Sequence, residues 1–557
     1  MEQSIIKRRT IQAHDDEQRG NKIFEEKKKP EVIASTSGTF FTWDIIQIVL
    51  VHSVAGIFFG YNLGLPGPYY TFVKMNFDCS ATTSEVACTS LNPGLCAWKD
   101  SSCSFVQDNC SNLVIMDCDS NVAHFSYQCL WDAKKKKCRR LPGYTAVENG
   151  IFAGGLIVGG CIGSLGASTI LSYLGRRKTF LLCGILASFA ATLTHFSTYT
   201  EAYVTVIAGR IFAGIASGIL CVASPMYVEE MVQGHYKQIV GIFFQIAVTV
   251  GILLAATMAY ALNPQDLSLN LQMQQRRQGL CVFASILSLL ICITGIFMRE
   301  SPYWVEQVIR ARGLSEDANS LKKPLNASIL EDDTTATTNN TTNTINDAEN
   351  SVPSWSNMIQ PLFTAFIMCI AQQMTGINAI MNYAPTITAV MGLAPLTGNF
   401  IVMAWNFVAV LLSIPVSLKY RADYTYICAV FFTSLSCLLT GIPLLPSLDL
   451  GDKLKRALSA AGIAIFIVFF EVGMGTFFWV LSQGIFPPAF RDRGSSFTVL
   501  TQFLFNILIN VGFPIAVGKI SGTADQDKGM SIVFICFGCI GLVSSVYLSI
   551  FLRLREV

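Results

Sequence analysis

Long apolar segments separated by short polar turns dominate the chain. A helix needs about 20 apolar residues to cross a bilayer, and twelve segments come close to that length. The pattern therefore predicts an all-α membrane protein with twelve transmembrane helices in two six-helix halves. We number the segments spans 1 to 12 in chain order: 44–64, 147–171, 179–198, 202–224, 239–261, 279–298, 359–382, 399–418, 426–446, 459–483, 495–518 and 530–552.

The same pattern divides the chain into five regions. Residues 1–43 hold clusters of Lys and Arg without an apolar core, which predicts a cytoplasmic tail and not a cleaved signal peptide. The two halves occupy 44–298 and 359–552. Between them, 299–358 begins as a charged, helix-like cytoplasmic loop and becomes a low-complexity polar tether. Residues 553–557 form a short tail, also predicted to be cytoplasmic.

Composition excludes several classes of function. Of 557 residues, 52% are hydrophobic and 14% are charged, which is too apolar for a soluble protein. The net charge of +2 comes from loop clusters, so we expect the lipid bilayer and not a nucleic acid as partner. The sequence contains no nucleophile–base set, phosphate-binding loop or metal-ligand spacing, which predicts no enzyme activity, no cofactor and no metal. Its oligomeric state is not indicated.

The basic residues predict the orientation in the membrane. Most lie in turns on one side, which the positive-inside rule assigns to the cytoplasm together with both termini. Lys134–Lys137 lies on the other side, in a loop where the rule is weak because of its length. Arg276 and Arg277 also lie there, before span 6, and the rule does not explain them. We expect a multi-pass protein of the plasma membrane.

The extracellular loop 66–145, between spans 1 and 2, is rich in cysteine. A polar loop of this kind has no core of its own, so we expect four disulfides, whose connectivity the sequence leaves open. A zinc site is the alternative, although the usual Cys-x-x-Cys spacing is missing. Asn109-Cys110-Ser111 is a candidate glycan acceptor. The eight cysteines are Cys79, Cys88, Cys96, Cys103, Cys110, Cys118, Cys129 and Cys138.

Span 7 ends in a polar stretch, QQMTGINAIMNYAP, with carboxamides at Gln372, Gln373, Asn378 and Asn382. An unsatisfied amide is costly in hydrocarbon, so we expect these side chains to face a cavity suited to a neutral, hydroxyl-rich solute. On a continuous helix Gln373 and Asn378 would be about 140° apart. We therefore expect the helix to be interrupted near 375–376, as in many transporter sites. The alternative is that the amides hydrogen-bond neighbouring helices.

Polar residues recur at matching places in the two halves, which predicts homologous halves around one central site. In spans 5 and 11 the polar positions share a helix face. The recurring residues are Gly60-Tyr61-Asn62 in span 1 with Gly376-Ile377-Asn378 in span 7, and Gln245 and Thr249 in span 5 with Gln502, Asn506 and Asn510 in span 11.

Span 10 contains a carboxylate, Glu471, and an aromatic residue, Trp479. A carboxylate costs about 2.5 to 3.5 kcal/mol at the centre of a bilayer, so Glu471 is expected to be paired or close to the aqueous edge. Trp479 offers a flat apolar face to a sugar ring, and packing against lipid or the protein core is the alternative.

Charged residues cluster at the predicted cytoplasmic mouth, where we expect a salt-bridge latch. Exposed ion pairs contribute less than about 1 kcal/mol each, but a partly desolvated network can hold one conformation by a few kcal/mol. The alternative is charge that only sets the topology. The latch residues are Arg176, Arg177, Glu229, Glu230 and Lys237 in the first half, with Arg491 and Arg493 in the second.

An ordered set of motifs resembles the sugar-porter branch of the major facilitator superfamily from about residue 44 to 550: GYN, GRR, GRxxxGxxxG, PMYVEE, GIFFQIAVTVGIL, RESPYW and QQMTGIN. The cysteine-rich loop is similar to that of kinetoplastid hexose transporters. The resemblance implies the major facilitator fold and a sugar substrate, D-glucose first and D-fructose second. It also implies sugar contacts from Gln245, Gln372, Gln373, Asn378, Glu471 and Asn506, with Trp479 beside the ring and Asn382 and Tyr383 at the outer gate.

The chain departs from this family at several places. Ser172 stands for an acidic or amide residue before GRR, Gly484 for a glutamate and Phe503 for a second tryptophan. The second copy of the GRR motif is reduced to KYRAD, 419–423, and the signature after span 12 is missing. We therefore expect inward closure to rely on the first half.

Asn62 indicates whether transport is coupled to protons. Proton-coupled members of the family resemble one another in having an aspartate at this position. The amide of Asn62 does not titrate and therefore takes up no proton here. We expect facilitated diffusion by alternating access. Proton-coupled symport through His52 or Glu471 is one alternative. A non-transporting sugar sensor is another, which the short final tail disfavours.

Overall fold

The computed structural model describes the spans and parts of the loop after span 1. The described residues are 43–69, 96–99, 102–105, 129–132, 137–140, 146–200, 203–232, 234, 236–262, 273–311, 354–381, 395–445, 448, 451–521 and 526–552. Within them, eleven helices are long and apolar enough to cross a membrane.

One of these eleven helices contains both span 2 and span 3. The chain turns back at Gly175, whose φ of 80° favours glycine because a side chain there would be strained. The twelve predicted spans are therefore all present. The helices of the first half are Trp43–Gly64, Ala146–Thr200, Tyr203–Met231, Tyr236–Gly241, Phe243–Ala261 and Met273–Phe297, followed by the short helix Pro302–Ala311.

The second half repeats this arrangement with more interruptions. Its α-helices are Ile359–Met374, Pro395–Leu411, Ser413–Lys419, Ala422–Gly441, Asp452–Phe469, Thr476–Gly484, Arg491–Ser521 and Gln526–Phe551. A π-helix, Phe470–Gly475, joins the two parts of span 10. The 3-10 turns are Trp355–Met358, Ile442–Leu444 and Pro488–Phe490.

Side-chain burial is arranged as a bilayer requires. One connected cluster of buried apolar side chains includes residues from both halves. Large apolar side chains on the periphery are exposed, among them Leu165 at 67%, Val204 at 79% and Val543 at 72%. These surfaces match the hydrocarbon of a membrane, in which an exposed leucine or valine carries no penalty. The prediction of a multi-pass membrane protein is confirmed.

The described strands all lie in the loop after span 1. Cys96–Lys99 pairs with Ser102–Phe105, and Cys129–Asp132 pairs with Lys137–Arg140, each as a short antiparallel hairpin. The side chains of the eight loop cysteines lie outside the described part of the chain, so the four disulfides stay a prediction. The same holds for the N-terminal tail, the polar tether, and the gate residues Asn382 and Tyr383.

Candidate functional site

Span 7 is interrupted where its amides lie. The helix ends at Met374, and Gly376 has a φ of 91° before a further turn of helix at 377–381. A Cβ on Gly376 would also come within 2.5 Å of the Phe537 ring. The interruption brings Asn378 back toward Gln373, so that Asn378 Nδ2 donates to Gln373 Oε1 at 2.5 Å. The expected break in the helix is confirmed.

Two neighbouring amides of span 7 are buried in the helix bundle. Gln372 and Gln373 are 4% and 3% exposed, and Asn378 is half-buried. Gln372 Oε1 has no hydrogen-bond partner among the described residues. A buried acceptor without a donor costs about 1 to 3 kcal/mol. Gln372 therefore presents an acceptor that a hydroxyl group can satisfy.

Spans 5 and 10 meet through one amide, Gln245. Its Nε2 donates to Glu471 Oε2 at 3.0 Å, and its Oε1 accepts from Trp479 Nε1 at 3.0 Å. All three side chains are buried, and Phe244 packs edge-on against the indole with centroids 4.7 Å apart. Glu471 is therefore paired and not at an aqueous edge, and Trp479 faces the protein interior and not lipid.

The backbone of span 10 is unusual at Glu471. Phe470–Gly475 is a π-helix, and the hydroxyl of Thr476 donates to the carbonyl of Glu471. Single π turns inside α-helices are frequent at functional sites. Asn406 of span 8 also hydrogen-bonds the Glu471 carboxylate, while its Oδ1 has no partner among the described residues. Sequence reasoning missed Asn406, a single amide in an apolar span.

Span 11 contributes a third polar group. Asn506 is 7% exposed, and Asn510 Nδ2 donates to Asn506 Oδ1 at 2.5 Å. Gln502 Oε1 is buried without a partner among the described residues. Phe503 contacts Phe59 of span 1 edge-on, with centroids 5.9 Å apart. The hydrogen bonds thus gather the predicted site residues into three groups, on span 7, on spans 5 and 10, and on span 11.

Arg176 is the centre of the predicted latch. Its guanidinium binds Glu230 with two hydrogen bonds, one of them Nε to Oε2 at 2.8 Å, and the two side chains are 0% and 2% exposed. Arg176 Nη2 also lies 3.0 Å from Asp492 Oδ1, across the boundary between the halves. An ion pair in which a desolvated arginine makes two hydrogen bonds to one carboxylate is stronger than an ion pair at the surface. Sequence reasoning missed Asp492, whose role depends on tertiary contact.

A second ion pair joins the halves beside the first. Glu229 Oε1 accepts from Lys237 Nζ at 2.8 Å and from Arg491 Nη2 at 3.4 Å. The other two predicted latch residues lie elsewhere. Arg177 donates from its side chain to the carbonyl of Ile296, and Arg493 is exposed.

Glu300, which follows span 6, binds the turn between spans 2 and 3. Its carboxylate accepts from the backbone N–H groups of Arg176 and Arg177 at 2.6 and 3.2 Å. Sequence reasoning did not assign this role to it.

Gln238 adds a contact between the halves that the sequence did not reveal. Its Nε2 donates to the carbonyls of Ser417 and Tyr420 at 2.9 and 2.7 Å, and its Oε1 accepts from the N–H of Ala422 at 3.1 Å. The start of span 5 therefore holds the turn between spans 8 and 9. This turn belongs to the reduced KYRAD segment, 419–423.

The two residues of span 1 considered for proton coupling have protein partners. His52 Nε2 donates to the carbonyl of Gly241 at 3.3 Å, which leaves Nδ1 to accept from the Ser224 hydroxyl at 2.7 Å. Asn62 Nδ2 donates to the carbonyl of Phe58 at 2.9 Å within its own helix. Both side chains are buried.

Comparisons with known proteins agree with this architecture. Residues 48–552 match the model of the family described as "Sugar (and other) transporter". Glucose transporter 2A of Trypanosoma brucei brucei is 35% identical over 92% of this chain and 88% of that protein. Membrane transporter D2 of Leishmania donovani is 31% identical over 95% and 92%.

A solved structure shares the fold. The proton:xylose symporter XylE bound to 6-bromo-6-deoxy-D-glucose superposes with a TM-score of 0.64, at 18% identity, over 92% of this chain and 97% of that one. At this identity the likeness concerns the fold alone. The chain therefore has the fold of this major facilitator superfamily structure. The family match over residues 48–552 and the two relatives above 30% identity show that it belongs to the family of sugar transporters.

Proposed function

We propose that the protein carries a hexose, D-glucose in the first place, across the membrane. Three buried acceptors without partners among the described residues carry this proposal: Gln372 Oε1, Asn406 Oδ1 and Gln502 Oε1. A sugar hydroxyl donates one hydrogen bond and also accepts, so a hexose can satisfy several amides at once. Relatives named as glucose transporters support the same substrate.

The contacts we assign to the sugar come from both halves. The proposed set consists of Gln372, Gln373 and Asn378 on span 7, Gln245 with Glu471 and Trp479, and Asn506 on span 11, together with the unpaired acceptors of Asn406 and Gln502. Asn382 and Tyr383 remain the proposed outer gate. The Glu471 carboxylate accepts from the Gln245 amide and so fixes its orientation. Because most of the donors and acceptors of the proposed set are neutral amides, the site suits an uncharged polyhydroxyl solute.

Transport proceeds by rocking of the halves 44–298 and 359–552 against each other. In this conformation Arg176–Asp492, Arg491–Glu229 and the Gln238 contacts hold the cytoplasmic ends together. Opening toward the cytoplasm must break all three. We assign both termini to the cytoplasm and the protein to the plasma membrane. Membership of a transporter family also supports a function without chemical conversion of the substrate.

We propose facilitated diffusion as the energy mode. Asn62 does not titrate, and both ring nitrogens of neutral His52 already have partners. Glu471 accepts hydrogen bonds from Gln245 and Asn406. Among the described residues, Asn62 thus has no titratable group, and His52 and Glu471 both have protein partners that would have to rearrange in a proton-coupled cycle.

Counterflow in proteoliposomes tests the function. Vesicles preloaded with unlabelled D-glucose should take up labelled D-glucose transiently, and empty protein-free vesicles should not. Competition by D-fructose and by a series of deoxy-glucoses identifies the substrate, because each missing hydroxyl leaves one amide unpaired and weakens binding about 5- to 100-fold. Saturable glucose binding without any exchange would contradict the proposal and favour a sensor.

A further inference from the structure

His52 of span 1 is a fully buried histidine that makes hydrogen bonds to two other spans. Its Nδ1 accepts from the hydroxyl of Ser224 on span 4 at 2.7 Å, and its Nε2 donates to the carbonyl of Gly241 on span 5 at 3.3 Å. A buried polar ring costs free energy unless its nitrogens are hydrogen-bonded, and an apolar side chain would fill the same space without directional contacts. The two bonds therefore join span 5 to spans 1 and 4 at one defined backbone atom.

The carbonyl that His52 binds lies at an interruption of span 5. Helix Tyr236–Gly241 ends at this residue, and helix Phe243–Ala261 begins after Ile242. A regular helix fixes the direction of each turn through its own hydrogen bonds. At an interruption, a hydrogen bond from another span supplies an additional fixed point. The donor of His52 therefore restrains the segment that begins at Gly241.

The restrained segment, 241–245, contacts span 10 of the other half. A Cβ on Gly241 would come within 2.6 Å of Val480 Cγ2, so the two spans pack closely there. One helix turn later, Gln245 Oε1 accepts from Trp479 Nε1 at 3.0 Å. A displacement of the Gly241 backbone would therefore move the side chains that we assign to the sugar.

The distance from His52 to the indole of span 10 is short. The centroids of the His52 and Phe244 rings are 5.1 Å apart, and those of Phe244 and Trp479 are 4.7 Å apart in an edge-on contact. All three side chains are buried. Protein interiors are close-packed, so a shift of one ring is transmitted to its neighbours. A single side chain of the restrained segment thus separates His52 from the indole.

We propose that His52 is a positioning residue for the sugar site. By holding the carbonyl of Gly241, it keeps Gln245 and Trp479 in the orientation that binds the sugar. A binding group is precise only when neighbouring contacts fix its own position. The inference rests on the proposed function, in which these two side chains contact a hexose. His52 acts through span 5 and needs no contact with the sugar itself.

Two substitutions separate the roles of the ring nitrogens. His52→Gln keeps an N–H near the position of Nε2, whereas His52→Asn keeps an acceptor near the position of Nδ1 and is too short to donate to Gly241. By titration calorimetry, the dissociation constant for D-glucose should rise about 2- to 12-fold in His52→Asn, as for the loss of one neutral hydrogen bond. It should stay near the wild-type value in His52→Gln. Melting temperatures should fall by similar amounts, because each variant loses one buried hydrogen bond.

The environment of the indole can be measured without sugar. The chain has seven tryptophans, and in protein labelled with 5-fluorotryptophan the fluorine-19 resonance of Trp479 is assigned by its loss in Trp479→Phe. This resonance should shift in His52→Asn and not in His52→Gln. Ser531→Ala is the control, because it removes a buried hydrogen bond to the carbonyl of Gly441, between spans 12 and 9. It should leave the resonance and the glucose affinity unchanged.

An unshifted Trp479 resonance in His52→Asn would overturn the proposal. Equal changes of resonance and affinity in His52→Asn and His52→Gln would do so as well, because the role of the side chain would then be packing. A shifted resonance in His52→Asn, with no glucose binding by the wild type, would contradict the proposed function while the positioning of the indole would stand. If His52→Asn does not fold, His52→Met, which also lacks a donor and fills more of the space, takes its place.

Discussion

At the scale of single residues, Gln245 joins the two halves at the centre of the bundle. Its donor goes to Glu471 and its acceptor to Trp479, both at 3.0 Å. Leucine offers neither group, and glutamate would offer two acceptors and place a second carboxylate beside the first. Only a carboxamide of this length makes both bonds, so the identity of this residue fixes the orientation of the carboxylate and the indole together.

Gln373→Ala should weaken sugar binding about 10- to 100-fold and abolish most uptake at low sugar. The substitution removes a buried amide that binds Asn378, and each unpaired buried polar group costs about 1 to 3 kcal/mol. Initial rates of labelled glucose uptake across a concentration series measure the change. Gln360→Ala in the same helix is the matched control, because Gln360 is exposed.

The amount of variant protein at the cell surface must be measured in parallel, by surface biotinylation. Unchanged uptake by Gln373→Ala at normal surface amount would place the sugar elsewhere. An equal loss in Gln360→Ala would indicate a general defect of the helix.

Trp479→Phe should raise the KM for glucose about 2- to 12-fold with little change in stability. Phenylalanine retains an aromatic face but loses the Nε1–H that binds Gln245, and one neutral hydrogen bond contributes about 0.5 to 1.5 kcal/mol. Counterflow kinetics give the KM. Phe478→Leu, beside it in the sequence and in contact with its ring, controls for packing alone. An equal change in both variants would argue against a role for the indole N–H.

The sequence predicted residues that stand out against an apolar background. Gln372, Gln373 and Asn378 stand together in an apolar span, and Glu471 is a carboxylate inside another. Asn406 did not stand out, because one amide in a helix is common and its contact with Glu471 comes from another helix. Asp492 lies beside Arg491 in the sequence, yet only the fold places it on Arg176.

At the scale of helices and turns, Gln238, which lies just before span 5, binds the turn between spans 8 and 9. Gln238 makes three hydrogen bonds to backbone groups of this turn. Most substitutions in the turn keep its backbone groups, so the side chain of Gln238 is the part of the contact that is most sensitive to mutation. This contact links the first half to the reduced second GRR motif and adds to the closure that we expect from the first half.

Gln238→Ala should favour opening toward the cytoplasm. Loss of its hydrogen bonds removes roughly 1 to 3 kcal/mol from the closed state. A smaller outward-facing population lowers the apparent affinity for external sugar in proportion. Affinities measured on both faces of proteoliposomes of known orientation should therefore shift apart, weaker outside and stronger inside.

Gln307→Ala is the control for this shift. Gln307 is an exposed amide in the short helix Pro302–Ala311 after span 6, and its side chain binds Tyr303 of the same helix. If Gln238→Ala binds sugar with wild-type affinity on both faces of the membrane, the Gln238 contact does not hold the closed state.

Helix interruptions were predictable only where the sequence contains a conformational signal. The break in span 7 follows from a glycine between two amides that lie on different faces of a regular helix. The π-helix at Phe470–Gly475 gave no such signal, because its glycines, Gly473 and Gly475, are common in membrane-spanning helices and do not distinguish a π turn from a regular one. Hydrogen bonds from neighbouring spans to Glu471 accompany it, and these are tertiary contacts.

At the scale of the whole molecule, the polar contacts between the halves lie in two layers. The central layer is made by Gln245 with Glu471 and Trp479, and the second layer, at the end that we assign to the cytoplasm, by the ion pairs of Arg176 and Glu229. In the proposed function, a sugar at the centre competes with the first layer, whereas opening toward the cytoplasm breaks the second. We therefore expect binding and opening to be separate steps that act on different residues.

Uptake should be insensitive to the proton gradient. Intracellular free glucose should approach the external concentration and not exceed it, because Asn62 takes up no proton and His52 is bound on both nitrogens. A non-metabolised glucose analogue, measured with and without a protonophore in cells of known volume, gives this ratio. Accumulation above the external concentration that collapses with the protonophore would contradict facilitated diffusion.

The π-helix in span 10 has a consequence for insertions and deletions. A π turn holds one residue more than the α-helix it interrupts, and each residue rotates a helix by about 100°. Shortening 470–475 by one position would swing the following segment around its axis, carry the indole of Trp479 away from Gln245 and turn Ser482 with it. The orientation of the Trp479 indole thus depends on the length of the helix before it, and deletion of one residue from 470–475 would act like a substitution four to nine positions further along the chain.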